Sequence, residues 1–233
     1  MYYNSYRDKL KLYISKNVFQ PTGTSELLIK NSINYIKNKK KFLDLGCGSG
    51  IIGISIARKI KNKNLNFFSD ISKFACRNTI KNLKRNTIKG IVRQGSIFEP
   101  WKGEKFDYIL CDIAAIAEKV SEFSPWYKNC ENNSGKDGTN HIVNVLKKSK
   151  KYLNSKGKLF FPIVSLSNEK KILNVAKRNF LNLKKLSSKE WPLPKTMYSK
   201  KKTLYRLKKN KVINFKEKLG IIIFYTDIYM VSN

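Results

Sequence analysis

Apolar and polar positions along this chain switch between two periods, and the switches outline an α/β protein. From Glu26 to Ile36, Leu28, Ser32, Ile33 and Ile36 share one face, the spacing of an amphipathic helix. Phe42-Leu43-Asp44-Leu45 is a short strand running into glycines, and Ile51 to Ile60, apolar on most sides, is a buried helix. Leu65 to Phe68 predicts a second strand ending at Asp70, and Ser72 to Asn86 a helix capped by Ser72. Ile88 to Val92 and Phe106 to Cys111 follow as strands, and an irregular polar stretch fills 121–138. His141 to Leu153 returns to helical spacing, then a turn at Ser155-Lys156-Gly157 enters a strand from Lys158 to Val164. A helix from Asn168 to Phe180 and strands at Leu183–Trp191 and Ile221–Val231 complete the chain. This alternation predicts a mostly parallel sheet with helices on both faces. The C-terminal third breaks the rhythm, so the last strand is expected to be antiparallel.

With 233 residues, 41% of them hydrophobic, the chain can bury one good core. Residues 1–40 are expected to form a helical lead-in, in one globular unit with the main domain at 41–233. Lys and Arg number 48 against 16 Asp and Glu, a formal +32, which suits a polyanionic partner. Yet the excess is mostly Lys interleaved with Asn, as in Lys61-Asn62-Lys63-Asn64, and AT-rich codon usage produces the same pattern. Charge therefore leaves both readings open. Cys47, Cys76, Cys111 and Cys130 form no CxxC pair and His141 is the only histidine, so no metal site is expected and reduced thiols in the cytoplasm fit. Met1 to Asp8 has no apolar leader, and Gly220 to Val231 is too short to span a bilayer, so no membrane partner is expected.

The chemistry concentrates in Leu43-Asp44-Leu45-Gly46-Cys47-Gly48-Ser49-Gly50, between a strand and a helix, where glycines let backbone approach a ligand. Gly48-Ser49-Gly50-Ile51-Ile52-Gly53 also reads as GxGxxG with Asp70 about 20 residues on, the pattern of a dinucleotide site, so an NAD-dependent oxidoreductase is one reading. Asp44 ahead of the glycines favours another, because a carboxylate at the strand end can hold a ligand that carries positive charge.

The run from Leu43 to Ala57, LDLGCGSGIIGISIA, resembles motif I of class I S-adenosylmethionine-dependent methyltransferases, which have a Rossmann-like sheet. Phe19-Gln20-Pro21-Thr22-Gly23-Thr24-Ser25-Glu26, Gly95-Ser96-Ile97-Phe98-Glu99-Pro100, Lys105 to Leu110 and Gly135-Lys136-Asp137-Gly138 extend the resemblance, in order, to the HemK and "methyltransferase small" branch. The resemblance implies S-adenosylmethionine as cofactor. Gly46, Gly48 and Gly50 would line its amino-acid end, Asp44 would face its positive charge, Asp70 would bind the ribose hydroxyls, Ser96 and Ile97 would meet the adenine, and Cys47 and Ile71 would border the cofactor. Pro21, Thr22 and Thr24 would border the substrate end of the site. Trp126 and Tyr127, in the aromatic run Phe123-Ser124-Pro125-Trp126-Tyr127, read either as a substrate loop that stacks on a base or clamps a side chain, or as packing over the sheet edge.

Two departures stand out. The family's loop has Asp where this chain has Ser96, which leaves adenine recognition to Ser96 or to the Ile97 backbone. HemK-type enzymes place Asn-Pro-Pro-Tyr after the fourth strand, where this chain has Asp112-Ile113-Ala114-Ala115. A carboxylate accepts a hydrogen bond or a proton but cannot donate as an amide does. Asp112 is thus the candidate catalytic residue, with His141 a second candidate base. The layout implies a substrate in the translation machinery (a ribosomal protein, a release factor or RNA). A small-molecule methyltransferase and a non-catalytic RNA-binding relative remain alternatives. The basic run Lys195 to Lys211 reads either as a phosphate-contacting surface or as a solvated helix face.

Overall fold

The computed structural model describes residues 2–4, 10–63, 65–128, 130 and 132–233. Met1 and residues 5–9 of the expected lead-in, Asn64 of the Lys-Asn run, and positions 129 and 131 of the polar stretch lie outside the described residues.

A two-stranded antiparallel ribbon, β1 (Tyr2–Asn4) with β2 (Lys11–Tyr13), precedes α1 (Gly23–Ser32), so the lead-in is helical only from Gly23. α1 begins ahead of Glu26 because Thr22 caps it, its side chain accepting from the Thr24 N–H. The main domain then runs β3 (Phe42–Leu45), α2 (Ile51–Lys59), β4 (Asn66–Asp70), α3 (Lys73–Arg85), β5 (Ile91–Gln94), β6 (Phe106–Cys111), α4 (Glu118–Ser121) and α5 (Asn140–Lys148). It ends with β7 (Leu153–Val164), α6 (Glu169–Asn179), β8 (Asn182–Pro192), α7 (Lys201–Lys209), β9 (Lys216–Lys218) and β10 (Ile221–Ser232). Among the described residues one sheet has the order β5–β4–β3–β6–β7–β10–β8, with β9 paired to β10. β3 to β7 are mutually parallel. β10 is the expected antiparallel strand, lying between β7 and β8.

Successive strand residues point to opposite faces, and each face has its own core. Leu43, Phe67, Ile109 and Phe161 pack on one side against Ile142 and Leu146 of α5 and Ile172 of α6. Phe42, Phe68, Leu110 and Phe160 pack on the other against Leu28 of α1, Ile52 and Ile56 of α2 and Leu83 of α3. Asp44, Asp70 and Asp112 keep the parity of this second set, which turns all three toward the α1–α2–α3 side. The ribbon is tied to the same side. Tyr13 donates its N–H to Asn82 Oδ1 at 2.8 Å, and its carbonyl accepts from the Asn78 and Asn82 side chains at 2.7 and 2.8 Å.

Two boundaries differ from the sequence pattern. The third strand starts at Ile91 rather than Ile88, because the Ile88 N–H closes α3 on the Leu83 carbonyl at 3.0 Å. The helix expected to reach Leu153 stops at Lys148, and a 3₁₀ turn leads into Leu153, already part of β7. The expected turn at Ser155–Gly157 is a bulge within that strand, between Leu153 opposite Phe106 and Lys158 opposite Tyr108. Asn154 holds the bulge by donating to Asp107 Oδ1 at 3.0 Å.

α2 sits close on the sheet through Gly53, where a Cβ would lie 2.3 Å from Phe68 Cε1. Gly53→Ala gains about 1 kcal/mol of helix propensity. It forces the fully buried Phe68 ring to move, at about 1–3 kcal/mol. Chemical denaturation is expected to show a net loss of up to about 2 kcal/mol. A net gain of about 1 kcal/mol would mean that the Phe68 ring gives way at no cost.

No helix among the described residues is long and apolar enough to cross a membrane.

Candidate functional site

The carboxyl ends of β3, β4 and β6 open into a cavity of about 990 Å³, at the upper end of the usual size for small-molecule sites. Its floor is the turn after β3. Gly46, Gly48 and Gly50 have φ of 75°, 52° and 81°, the left-handed region that glycine enters without a Cβ penalty. The Gly46 and Cys47 N–H groups both donate to the Ser69 carbonyl, at 2.8 and 2.9 Å, which fastens the turn to β4. A Cβ on Gly48 would meet no atom within 4 Å, so this backbone faces open space.

Asp70, at the end of β4, anchors the turn. Its Oδ2 accepts from the Gly48 N–H at 2.9 Å and its Oδ1 from the Ser72 N–H at 2.8 Å. Each oxygen keeps a lone pair for a further donor. Burial raises its carboxyl above the usual range, opposed by these backbone donors. Ile71 and Phe74 stand 70% and 53% exposed on the cavity wall, an apolar surface with nothing over it. Opposite them, Ser96 and Ile97 line the cavity, with Ile97 held at φ 49°.

Asp44 lies beneath the turn rather than on the cavity lining. It is wholly buried, and its Oδ2 accepts from the Gly53 N–H at 2.8 Å while Oδ1 finds no partner. Burial pushes its carboxyl up to about 7, with Asp112 and Asp70 raising it further against the Gly53 bond. Gly50, the left-handed residue ahead of α2, also sits below the lining.

Asp112, just past β6, accepts from Ser25 Oγ at 2.6 Å. Its desolvated position pushes its carboxyl up to about 6 in spite of that bond. Pro21, Thr22 and Thr24 line the same end of the cavity, as do Trp126 and Tyr127. The Tyr127 ring lies 5.1 Å from Phe19, tilted at 47° to it, and the Trp126 ring lies 5.4 Å from Phe224. His141, in the first turn of α5, reaches this wall. Burial lowers its imidazole, against the opposing Glu118 charge, so it is neutral at pH 7.

Two contributors escape sequence reasoning. Ser25 is locked onto Asp112 across 87 residues of chain, and the resemblance marks its run, Phe19 to Glu26, without singling out this hydroxyl. Trp191 reads as a strand exit, yet its indole lies against Gly23, donates to Thr226 Oγ1 at 3.2 Å and closes the cavity wall. Its only signal was a tryptophan set against two prolines.

A buried carboxylate with an orphaned oxygen, an open glycine turn and an exposed apolar wall fit S-adenosylmethionine, which carries a sulfonium, an amino acid and an adenosine. In a chain of net +32, Asp70 and Asp112 on the lining, with Asp44 beneath it, gather three carboxyl groups at this end of the sheet, and a cationic ligand would draw them into their ionised forms. They do not converge on a metal site, since no such cluster of three occurs among the described residues.

The Asp44 environment makes a stability prediction. Between pH 4 and 7 the folded state holds a proton on Asp44 that the unfolded state has released, so stability falls as pH rises across this window. Above pH 7 the ionised group costs of the order of 4 kcal/mol. Asp44→Asn is therefore expected to raise the melting temperature at pH 8 by several degrees and to leave it almost unchanged near pH 4. An equal gain at both pH values would count against a buried charge as the cause.

A family model, the methyltransferase small domain, matches residues 11–113. A candidate protein N5-glutamine methyltransferase of Methanocaldococcus jannaschii is 30% identical over 168 residues, 72% of this chain and 83% of that protein. The ribosomal RNA small subunit methyltransferase C of Haemophilus influenzae is 36% identical over 142 residues, 55% of this chain but only 41% of that longer enzyme. Among solved structures, the T. thermophilus 16S rRNA N2 G1207 methyltransferase, in complex with AdoMet and guanosine, superposes with a TM-score of 0.56 at 14% identity. The match covers 92% of this chain and 44% of that one, and shows the shared fold. The glycine turn, the sheet order and these relatives agree: the chain belongs to the methyltransferase small branch of the class I S-adenosylmethionine-dependent methyltransferases, with S-adenosylmethionine as its cofactor.

Proposed function

We propose that this methyltransferase modifies a nitrogen of a translation-machinery macromolecule, with Asp112 as the group that receives the acceptor's hydrogen. The observation that carries the reading is the Ser25–Asp112 hydrogen bond, which fixes a carboxylate at the end of the cleft where substrate enters. Relatives that act on protein glutamine or on ribosomal RNA support the substrate class.

Asp70 holds the cofactor's ribose, the Gly46–Gly50 turn and Cys47 take its amino-acid end, and Ile71, Ser96 and Ile97 enclose the adenine. Asp44 acts from beneath the turn, where its charge favours a cation above it. The bound cofactor supplies a methyl group on a positively charged sulfur. Asp112 then orients the acceptor N–H and takes its proton, while Ser25 keeps the carboxylate in one rotamer. Because Asp112 cannot donate, an amine or ring nitrogen suits the site better than a carboxamide. Pro21, Thr22, Thr24, Trp126 and Tyr127 border the acceptor, and neutral His141 is available to pass the proton outward. Residues 1–40 and 41–233 work as one unit in the cytoplasm, since the lead-in supplies Ser25.

The test is tritiated methyl transfer from S-adenosylmethionine into ribosomal particles and RNA from cells lacking the enzyme. Label in an RNA or protein band, absent with Asp112→Ala, supports the reading. Label confined to small molecules would overturn it.

A further inference from the structure

We infer that the connection between β8 and β10, residues 193–220, is a dock for the phosphate backbone of single-stranded RNA whose base enters the cleft beside Asp112. The inference rests on the reading of that cleft as the methyl-acceptor site and adds the substrate class.

The connection is a fixed wall. Leu193, Met197, Leu204, Ile213 and Phe215 are buried in a core shared with Ile116, Val120 and Leu166. It stands at the cleft mouth: Pro194 lines the main cavity, and Thr196 lines an adjoining hollow together with Tyr127 and Lys128. Its outer surface is strongly cationic and only partly compensated. Residues 195–211 contain eight Lys and Arg and no Asp or Glu. Lys201 is paired with Glu217 and Lys208 donates to the Phe215 carbonyl. Lys195, Lys200, Lys202, Arg206, Lys209 and Lys211 are exposed and make no ion pair among the described residues.

Position separates this patch from the chain's general Lys excess. Lys37 to Lys41 and Lys147 to Lys151 lead into the amino ends of β3 and β7, at the far end of the sheet from the cleft. There, Lys40 and Lys41 are also matched by Asp107 and Glu104. The 195–211 run lies at the cleft end instead, together with Lys73 and Lys128, which line the main cavity and the adjoining hollow.

The cleft behind the patch supplies the other half of single-strand recognition. Trp126, Trp191 and Phe224 line it, and single-stranded nucleic acids are held by aromatic stacking inside a cationic groove. Asp112, an acceptor when ionised, reads a base edge that offers N–H groups. An acidic peptide would satisfy the cations but offers a ring to the aromatic wall only where it carries an aromatic side chain, whereas every nucleotide carries one.

Fluorescence anisotropy with an unstructured 16-nucleotide RNA, at saturating S-adenosylhomocysteine and over a salt series, tests the dock. One variant combines Lys195→Gln, Lys202→Gln, Arg206→Gln and Lys209→Gln. The control removes equal charge at the far end with Lys147→Gln, Lys148→Gln, Lys150→Gln and Lys151→Gln. The dock variant is expected to bind at least tenfold more weakly, with a salt slope lower by about 2–3, as four lost phosphate contacts require. The control should stay within twofold of the parent. Equal losses in both variants, no loss in the dock variant, or tighter dock-dependent binding of an acidic 16-residue peptide would each overturn the inference. Calorimetry with S-adenosylhomocysteine on the same proteins separates the two readings. Cofactor binding without the RNA effect removes the dock alone, and absence of cofactor binding removes the site reading and the dock with it.

Discussion

Replacing Asp112 with asparagine is expected to lower methyl transfer by two to four orders of magnitude while S-adenosylhomocysteine binds as before. Losing a positioned proton acceptor has an effect of about 10²–10⁴-fold. Asparagine keeps the volume and can still accept from Ser25 Oγ, so the fold has no reason to change. Measured by tritiated methyl uptake at saturating cofactor, the loss should appear in turnover rather than in cofactor affinity. The pH profile gives an independent check. The carboxyl is raised to about 6 by desolvation, and only its ionised form accepts a proton. Activity should therefore rise with pH through about 6 and level off above it. The Ser25 bond favours the charged form, so Ser25→Ala should move the acidic limb to higher pH. A rate indifferent to pH between 5 and 8 in the parent would remove Asp112 from proton transfer.

The second large effect belongs to Asp70. Asp70→Ala should weaken S-adenosylhomocysteine binding at least a hundredfold in calorimetry, with two causes acting together. The carboxylate's free lone pairs are lost to the ribose hydroxyls, at about 1.5–3 kcal/mol for each hydrogen bond to a charged group. The Gly48 and Ser72 N–H groups also lose their acceptor, so the glycine turn is no longer pinned in its ligand-facing shape. Asp70→Asn keeps one acceptor oxygen and should fall between parent and alanine. Thermal melts distinguish this from general unfolding, because the Ser69 carbonyl still holds the Gly46 and Cys47 N–H groups. Binding within fivefold of the parent, in a folded Asp70→Ala protein, would place the ribose elsewhere.

Both predictions concern carboxylates raised by burial on the same face of the sheet, where the proposed cofactor pose would bring a positive charge. Bringing a cation above Asp44, Asp70 and Asp112 favours their ionised forms, so cofactor binding near pH 6 should release protons. The Asp44 penalty in the free protein and its help to a bound cation have one origin, a charge kept out of water. Stability and binding are therefore expected to move in opposite directions in Asp44→Asn.

The sequence by itself determined what depends on neighbours in the chain. Period-two runs such as Phe42–Leu45 and helical spacing such as Ile51–Ile60 place the elements, because strand and helix geometry act over a few residues. The break in alternation after Phe180 foretold the antiparallel β10. The left-handed φ of Gly46, Gly48 and Gly50 needs residues without a Cβ, so the turn was legible in their identity. Tertiary structure alone decided what depends on distant partners. The Ser155–Gly157 turn became a bulge because Leu153 pairs with Phe106 and Asn154 bonds Asp107, 47 residues away. Asp44 went below the turn because strand parity aims it at Gly53. Ser25 and Trp191 entered the site only through bonds to Asp112, just past β6, and to Thr226 on β10. Local stereochemistry is written into short stretches of sequence, whereas a side chain's partner across the sheet exists only once the strands have found their order.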